Sequence, residues 1–204
     1  NPQTVELIGL EHINLKKASD SIRKQMQADS DTQEISSEEI KENIATLEDA
    51  PFVHLHNHSQ FSILQSTSST MDLVNAAVEN NMPAVALTDS GNMMGAFHFV
   101  QAVANYNKSL AELPKNEEDE KPPQPIKAIV GCEFFVCEDH LNKNHKDNGY
   151  QIVMLAKNKN GYHNLAKMAS IAYTEGFYYV PRIDKNIVEK YKEDIIVLTG
   201  SLYG

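Results

Sequence analysis

The chain has 204 residues, of which 41% are hydrophobic and 23% are charged, and its formal net charge is −10. That length suits one domain of ordinary size with an appendage, and the composition is sufficient for a hydrophobic core. The net charge disfavours nonspecific binding to duplex DNA, which needs clustered Lys and Arg. No run approaches the roughly 20 apolar residues that span a membrane. The chain opens on Asn1 without a leader pattern, which is typical of a piece of a longer protein.

The first 50 residues form an acidic segment, with eleven Asp or Glu against five Lys or Arg and no aromatic residue. We predict one or two short helices joined by a mobile stretch. Two interpretations remain open: a linker from an upstream domain, or an N-terminal helix that packs on the main domain through Leu7, Ile8, Leu10, Ile13 and Leu15. The domain boundary is therefore predicted between residues 1–50 and residues 51–204.

Beyond residue 50 the pattern changes to alternating strands and helices. We predict, in chain order, a strand in the run Phe52–Ser59, a helix from Thr70 to near Met82, a strand over Ala84–Thr88, a helix from about Met93 to Tyr106, strands over Ile126–Val136 and Gln151–Ala156, a helix after Gly161 and a strand over Ile195–Thr199. An acidic, proline-rich loop over Lys115–Pro125 separates the halves. This order predicts an α/β fold with a parallel sheet or barrel, in which functional groups lie at the carboxyl ends of strands.

The two cysteines, Cys132 and Cys137, lie five residues apart in one predicted strand. Side chains alternate between the faces of a strand, so we expect these thiols on opposite sides with no disulfide between them. This cysteine usage favours a reducing cytoplasm.

Three histidines at alternate positions, His54, His56 and His58, concentrate metal-binding chemistry within five residues. In a regular strand they would share one face, and imidazole is the commonest ligand of zinc and similar ions. The alternative is an interior histidine pair that is hydrogen-bonded to carboxylates or carbonyls. By contrast, we expect His140 and His145 to be solvated, because they lie in a loop rich in Lys, Asn and Asp.

Two carboxylates lie in or just after predicted strands. Asp89 follows the strand Ala84–Thr88, and Glu133 lies within Ile126–Val136. An α/β barrel gathers ligands from such positions, so both residues could join the histidines. The alternative for Asp89 is that it caps the following helix.

Several motifs together resemble the PHP (polymerase and histidinol phosphatase) domain, in the version found in alpha subunits of bacterial DNA polymerase III. The first motifs are His54-Leu-His56-Asn-His58-Ser59, Pro83-Ala-Val-Ala-Leu-Thr-Asp89-Ser90-Gly91-Asn92, Gly95-Ala96 and Gly131-Cys132-Glu133. The later motifs are Gly161-Tyr-His-Asn-Leu165, Ala172-Tyr-Thr-Glu-Gly-Phe177, Pro181-Arg182-Ile183-Asp184 and Leu198-Thr-Gly200. The resemblance runs from about Phe52 to Gly204.

The resemblance implies a distorted TIM-like (β/α)7 barrel, here truncated at the C-terminus and preceded by the acidic extension, with a cluster of up to three metal ions. Neutral residues stand at four positions where metal-binding members carry ligands: Gln65, Ser90, Gln151 and Ser201. The ligand set that clearly remains is His54, His56 and Glu133, with Asp89 and His58 as further candidates. We therefore expect a single divalent ion, zinc or manganese, or none.

The resemblance also implies a function. We expect the domain to serve as a structural platform for the rest of the polymerase III alpha subunit and a proofreading exonuclease, with DNA contacted indirectly. In this interpretation the chain contains no catalytic residue of the polymerase reaction. The alternatives are an active metal-dependent phosphoesterase or 3′-5′ exonuclease, and a free-standing phosphatase acting on small phosphate monoesters.

Overall fold

A computed structural model describes residues 4–5, 13–14, 51–112 and 123–199. The chain divides into two compact units, Asn1–Ala50 and Pro51–Gly204. In the first unit, β1 (Thr4–Val5) pairs antiparallel with β2 (Ile13–Asn14). Ile13 was placed in a helix by one of our two interpretations; it lies in a strand instead, in keeping with the strand preference of β-branched residues. The other residues of the helices that we predicted within residues 1–50 lie outside the described residues.

The second unit alternates helices and strands. Its described elements are α1 (Thr70–Glu79), β3 (Ala84–Leu87), α2 (Ala96–Glu112), β4 (Lys127–Cys137), β5 (Tyr150–Ala156), α3 (Lys159–Thr174), β6 (Arg182–Asp184), α4 (Lys185–Tyr191) and β7 (Ile195–Leu198). None of the helices in this described part is long and apolar enough to cross a membrane.

Strands β3 to β7 form a mixed sheet with the order β3-β4-β5-β7, and β6 pairs with the second half of β4. The β3–β4 and β4–β6 pairs are parallel, whereas β4–β5 and β5–β7 are antiparallel. The α/β class is as predicted, but our expectation of a parallel sheet was wrong for β5. Residues 138–149 join β4 to β5 without a helix, and a neighbouring strand reached without a crossover runs antiparallel.

The helices all pack on one face of this sheet. Alternate residues of β4 contact them: Ala128 and Val130 pack with α1 and α2, and Cys132 and Phe134 pack with α3 and α4. The intervening residues of β4 point to the other face, where Ile129 joins a small apolar cluster to which no helix of the described part contributes. Glu133 also lies on this helix-free face.

Local signals explain where the helices begin. Ser69 caps α1 and forms a capping box with Asp72. Asn158 caps α3, and Asp184 caps α4. The short elements β6 and α4 were not predicted, because three and seven residues carry too little periodicity.

Candidate metal centre

His56, His58 and Glu133 come together on the helix-free face of the sheet. The Nε2 atoms of both histidines lie 2.8 Å from Oε2 of Glu133 and 3.2 Å from each other. The Glu133 side chain is 3% exposed, whereas that of His58 is 22% and that of His56 51% exposed. The cluster therefore has a buried carboxylate at its base and an imidazole open to solvent.

The backbone holds Glu133 firmly at this position. Its N–H donates to the carbonyl of Asp89 (3.0 Å), and its carbonyl accepts from the N–H of Gly91 (2.7 Å). On the other edge of β4, Glu133 is paired with Val153 of β5. A carboxylate on such a doubly paired strand has little freedom to move away from the histidines.

The histidine segment is irregular, contrary to the predicted strand. The N–H groups of Ala86 and Thr88 in and after β3 donate to the carbonyls of His54 and Asn57. A step of two residues, from Ala86 to Thr88, thus matches a step of three, from His54 to Asn57, and one extra residue of this kind is the pattern of a bulge. The extra residue breaks the alternation between His54 and the later histidines. His54 lies outside the cluster, and its ring packs edge-on against Phe52 with the centroids 4.7 Å apart.

Asp89 also lies outside this cluster, because other groups use its carboxylate. Oδ1 accepts hydrogen bonds from the N–H of Ser59 and the hydroxyl of Ser62 (both 2.7 Å), and Oδ2 accepts from the hydroxyl of Ser59 (2.8 Å). Asp89 is 1% exposed. It does not cap α2, which begins at Ala96, but fixes the turn that directly follows His58.

The electrostatics of the cluster favour a charged pair. The hydrogen bond to Glu133 raises the pKa of His58 above its usual value, against the desolvation that lowers it. Burial opposes ionisation of Glu133, but the hydrogen bonds to His58 and His56 prevail and lower its pKa. Both shifts favour the charged imidazolium–carboxylate pair over the two neutral groups.

The family model of the PHP domain matches residues 54–204. The chain belongs to the PHP domain family. Its relatives include the DNA polymerase III alpha subunit of Treponema pallidum, with 38% identity over 157 residues that cover 75% of this chain and 12% of that protein. The corresponding subunit of Chlamydia trachomatis is 36% identical over 157 residues, covering 75% of this chain and 11% of that protein. The chain thus spans about an eighth of the length of these relatives.

One solved structure with a partial likeness comes from Bifidobacterium adolescentis and is assigned as a metal-dependent phosphoesterase. It is 17% identical and has a TM-score of 0.38, covering 60% of this chain and 33% of that chain. A likeness at this TM-score adds nothing to the argument about this PHP domain.

The cluster of His56, His58 and Glu133, called the PHP centre below, includes or adjoins two buried oxygens that no hydrogen bond within the described part of the chain uses. Oε1 of Glu133 and Oγ of Ser90 have no hydrogen-bond partner among the described residues. Ser90 stands opposite Glu133 in a parallel bridge, so the two side chains point to the same face. Oxygen atoms that are buried without partners are costly. Two imidazoles, a carboxylate and a nearby hydroxyl therefore fit one divalent ion.

The other family ligand positions add no further imidazole or carboxylate. Gln65 is exposed in the turn after the histidine segment, and Gln151 lies in β5 opposite Phe135. Ser201 lies outside the described residues. The PHP centre of the described part therefore consists of His56, His58 and Glu133, with Ser90 beside it.

One buried histidine was missed by the sequence analysis. We expected His140 to be solvated, but it is 5% exposed and its Nδ1 lies 2.6 Å from Oδ2 of Asp184. The partner is 44 residues away in the chain, so loop composition gave no signal for the contact. His98, His145 and His163 are exposed.

Proposed function

We propose that this PHP domain is part of the alpha subunit of a bacterial replicative DNA polymerase and acts there, in the cytoplasm, as a structural platform whose PHP centre holds at most one divalent ion. The observation that carries the proposal is the ligand set. His56, His58 and Glu133 provide three donors at one point, whereas the neighbouring family positions carry Gln65 and Ser90.

The donor set argues against hydrolysis of a phosphodiester by paired metals. That chemistry holds two ions about 3.5–4 Å apart, so that both the attacking and the leaving oxygen are stabilised. Three protein donors with ligand atoms within 4.8 Å of one another suit a single ion. Two imidazoles and a carboxylate are compatible with zinc or manganese.

The ion would connect two parts of the domain that few backbone bonds join. His56 and His58 lie on the irregular segment, which is hydrogen-bonded to β3, and Glu133 lies on β4. A bound ion supplies positive charge that holds these donors together. Asp89 supports the same arrangement through Ser59 and Ser62. These contacts support a structural role for an ion at this centre.

A second feature supports the platform. An open groove of about 760 Å³ is lined mainly by apolar side chains, among them Leu55, Phe97, Val100, Leu155 and Leu198. A concave surface lined mainly by apolar side chains is a candidate binding surface. We propose that the rest of the alpha subunit covers it, that a proofreading exonuclease is a further partner, and that contact with DNA is indirect.

The alternative function is an active phosphoesterase or 3′-5′ exonuclease. The exposure of His56 favours it, since 51% of this side chain is accessible and a substrate could reach the centre. The uncommitted Oε1 of Glu133 and Oγ of Ser90 could hold a water molecule there.

Metal analysis combined with a nuclease assay distinguishes the two functions. We expect the centre of His56, His58 and Glu133 in the purified, untagged protein to hold about one equivalent of zinc or manganese or less, and the protein to leave 3′-labelled single-stranded DNA intact. The double variant His56→Ala/His58→Ala should lose the ion. A control variant, His98→Ala/His163→Ala, removes two exposed histidines and should retain it. Hydrolysis of DNA that disappears in the first variant and persists in the control would overturn the platform proposal.

A further inference from the structure

A second group of metal-ligating side chains lies outside the PHP centre, where the connection between β4 and β5 meets the start of α4. His140, in that connection, is buried, and its Nδ1 lies 2.6 Å from Oδ2 of Asp184. Asp184 is itself fixed, because its Oδ1 accepts hydrogen bonds from the N–H groups of Asn186 and Ile187 at the N-terminus of α4. The imidazole is thus held by an anchored carboxylate.

Asp139 adds a second carboxylate to this group. One ligand atom from each of Asp139, His140 and Asp184 lies within 4.8 Å of the others. Oδ1 of Asp139 accepts a hydrogen bond from the N–H of Leu141, which fixes the orientation of the carboxylate. Two carboxylates balance the charge of one divalent cation, and an imidazole nitrogen adds a donor that zinc and manganese accept.

The second ring nitrogen of His140, Nε2, is available to bind a ligand. Its Nε2 is buried and has no hydrogen-bond partner among the described residues. A buried polar atom without a partner costs on the order of 1–3 kcal/mol. In metal sites, a histidine commonly bonds a carboxylate through one ring nitrogen while the other is free to bind an ion. The arrangement of His140 and Asp184 has this form.

A buried arginine makes the surrounding connection rigid. The Arg182 side chain is fully buried and donates to the carbonyls of His140 (3.2 Å), Asn142 (2.9 Å), Asp147 (2.9 Å) and Gly176 (3.1 Å). The loop is therefore ordered before any ion binds, which lowers the entropic cost of binding. A cavity of about 240 Å³ lies beside it, lined by Glu138, Asp139, Asn142, His145 and Asp147. Its acidic lining attracts cations.

We propose that Asp139 and Nε2 of His140 bind a second divalent cation, zinc or manganese, independently of the PHP centre, while Asp184 orients the imidazole through its Nδ1. The two sites share no residue. The PHP centre is built around Glu133 within β4, whereas the second site begins two residues beyond the end of β4 at Cys137. Its role is structural, since the ion would be linked through His140 and its hydrogen bond to Asp184 with the start of α4.

Calorimetric titration with ZnCl2, and separately with MnCl2, tests this site on the untagged protein. The His56→Ala/His58→Ala variant removes two ligands of the PHP centre, and we expect it still to bind about one equivalent of one of these ions. Adding Asp139→Asn should abolish this binding or weaken it at least tenfold. Asp139 is exposed, so this substitution should not disturb folding. Glu193→Gln removes the same charge at another exposed position and serves as the matched control.

Two further measurements keep the result interpretable. If His56→Ala/His58→Ala fails to fold, Asp139→Asn alone should lower the stoichiometry of the otherwise unchanged protein, and Glu193→Gln should not. Zinc or manganese should also raise the melting temperature less in Asp139→Asn than in Glu193→Gln. The proposal is overturned if neither ion binds to the folded His56→Ala/His58→Ala variant, or if Asp139→Asn binds both ions within twofold of the control.

Discussion

Replacement of Asp89 tests whether this carboxylate organises the turn beside the metal centre. Asp89→Ala removes the acceptor of three hydrogen bonds, from the N–H and hydroxyl of Ser59 and the hydroxyl of Ser62. Both serines are almost fully buried, at 0% and 2% exposure. Each bond to a charged acceptor contributes about 1.5–3 kcal/mol. Because the hydroxyls can rotate and a buried charge is removed as well, we expect a loss of about 3–5 kcal/mol in the free energy of unfolding.

Urea denaturation followed by circular dichroism measures this loss. Asp72→Ala is the matched control, because it removes an aspartate that accepts from Ser69 in an exposed capping box. The control should cost clearly less than Asp89→Ala, because Asp72 is exposed to solvent. Asp89→Asn keeps the volume but replaces one acceptor oxygen with a donor, so its cost should lie between the two. If Asp89→Ala costs no more than Asp72→Ala, the carboxylate does not organise the turn.

Three further predictions concern the centre, the sheet and the loop. With chelator present, the raised pKa of His58 stabilises the folded protein fully below pH 6.5, and this stability is lost as pH rises through the pKa of His58 in the folded state. The lowered pKa of Glu133 stabilises the folded protein above pH 4.5, and this stability is lost as pH falls through the pKa of Glu133 in the folded state. Stability from this pair should therefore be greatest between about pH 4.5 and 6.5, and denaturation of His58→Gln across pH should show no such maximum. Gly131→Ala would bring a Cβ to 2.6 Å from the backbone oxygen of Met154; we expect a cost of about 1–3 kcal/mol, and an unchanged urea midpoint would contradict the packing. Arg182→Lys cannot reach four carbonyls at once, so we expect a loss of roughly 2–4 kcal/mol and faster amide exchange in residues 138–149, whereas unchanged exchange would argue against the bracing role.

The sequence predicted the regular elements well but the pairing of strands less well. Strong apolar patterns placed β4 and β5 within one residue of their observed ends. The direction of β5 depends on a connection without a helix, and the periodicity of the strand itself does not encode direction. An apolar pattern indicates that a segment is buried, but it does not indicate which element of the fold buries it.

Site residues were predicted by chemical type more readily than by geometry. The histidine run and Glu133 were recognised from their residue types. The choice among His54, His56 and His58 depends on one extra residue opposite β3, which alternation along a strand does not reveal. The contact between His140 and Asp184 joins residues that are distant in the chain, so it could not be predicted from the loop alone.

The one-sided packing of the helices has a consequence for how the metal centre responds to assembly. Glu133 shares the helix-free face with the apolar cluster of Ala86, Val153 and Leu155. A protein that covers this face would also cover His56, the member of the centre whose side chain is 51% exposed. Ion binding and association would then be thermodynamically linked, each changing the affinity of the other by the same factor. The strength of assembly would report on metal supply even if the centre performs no chemistry.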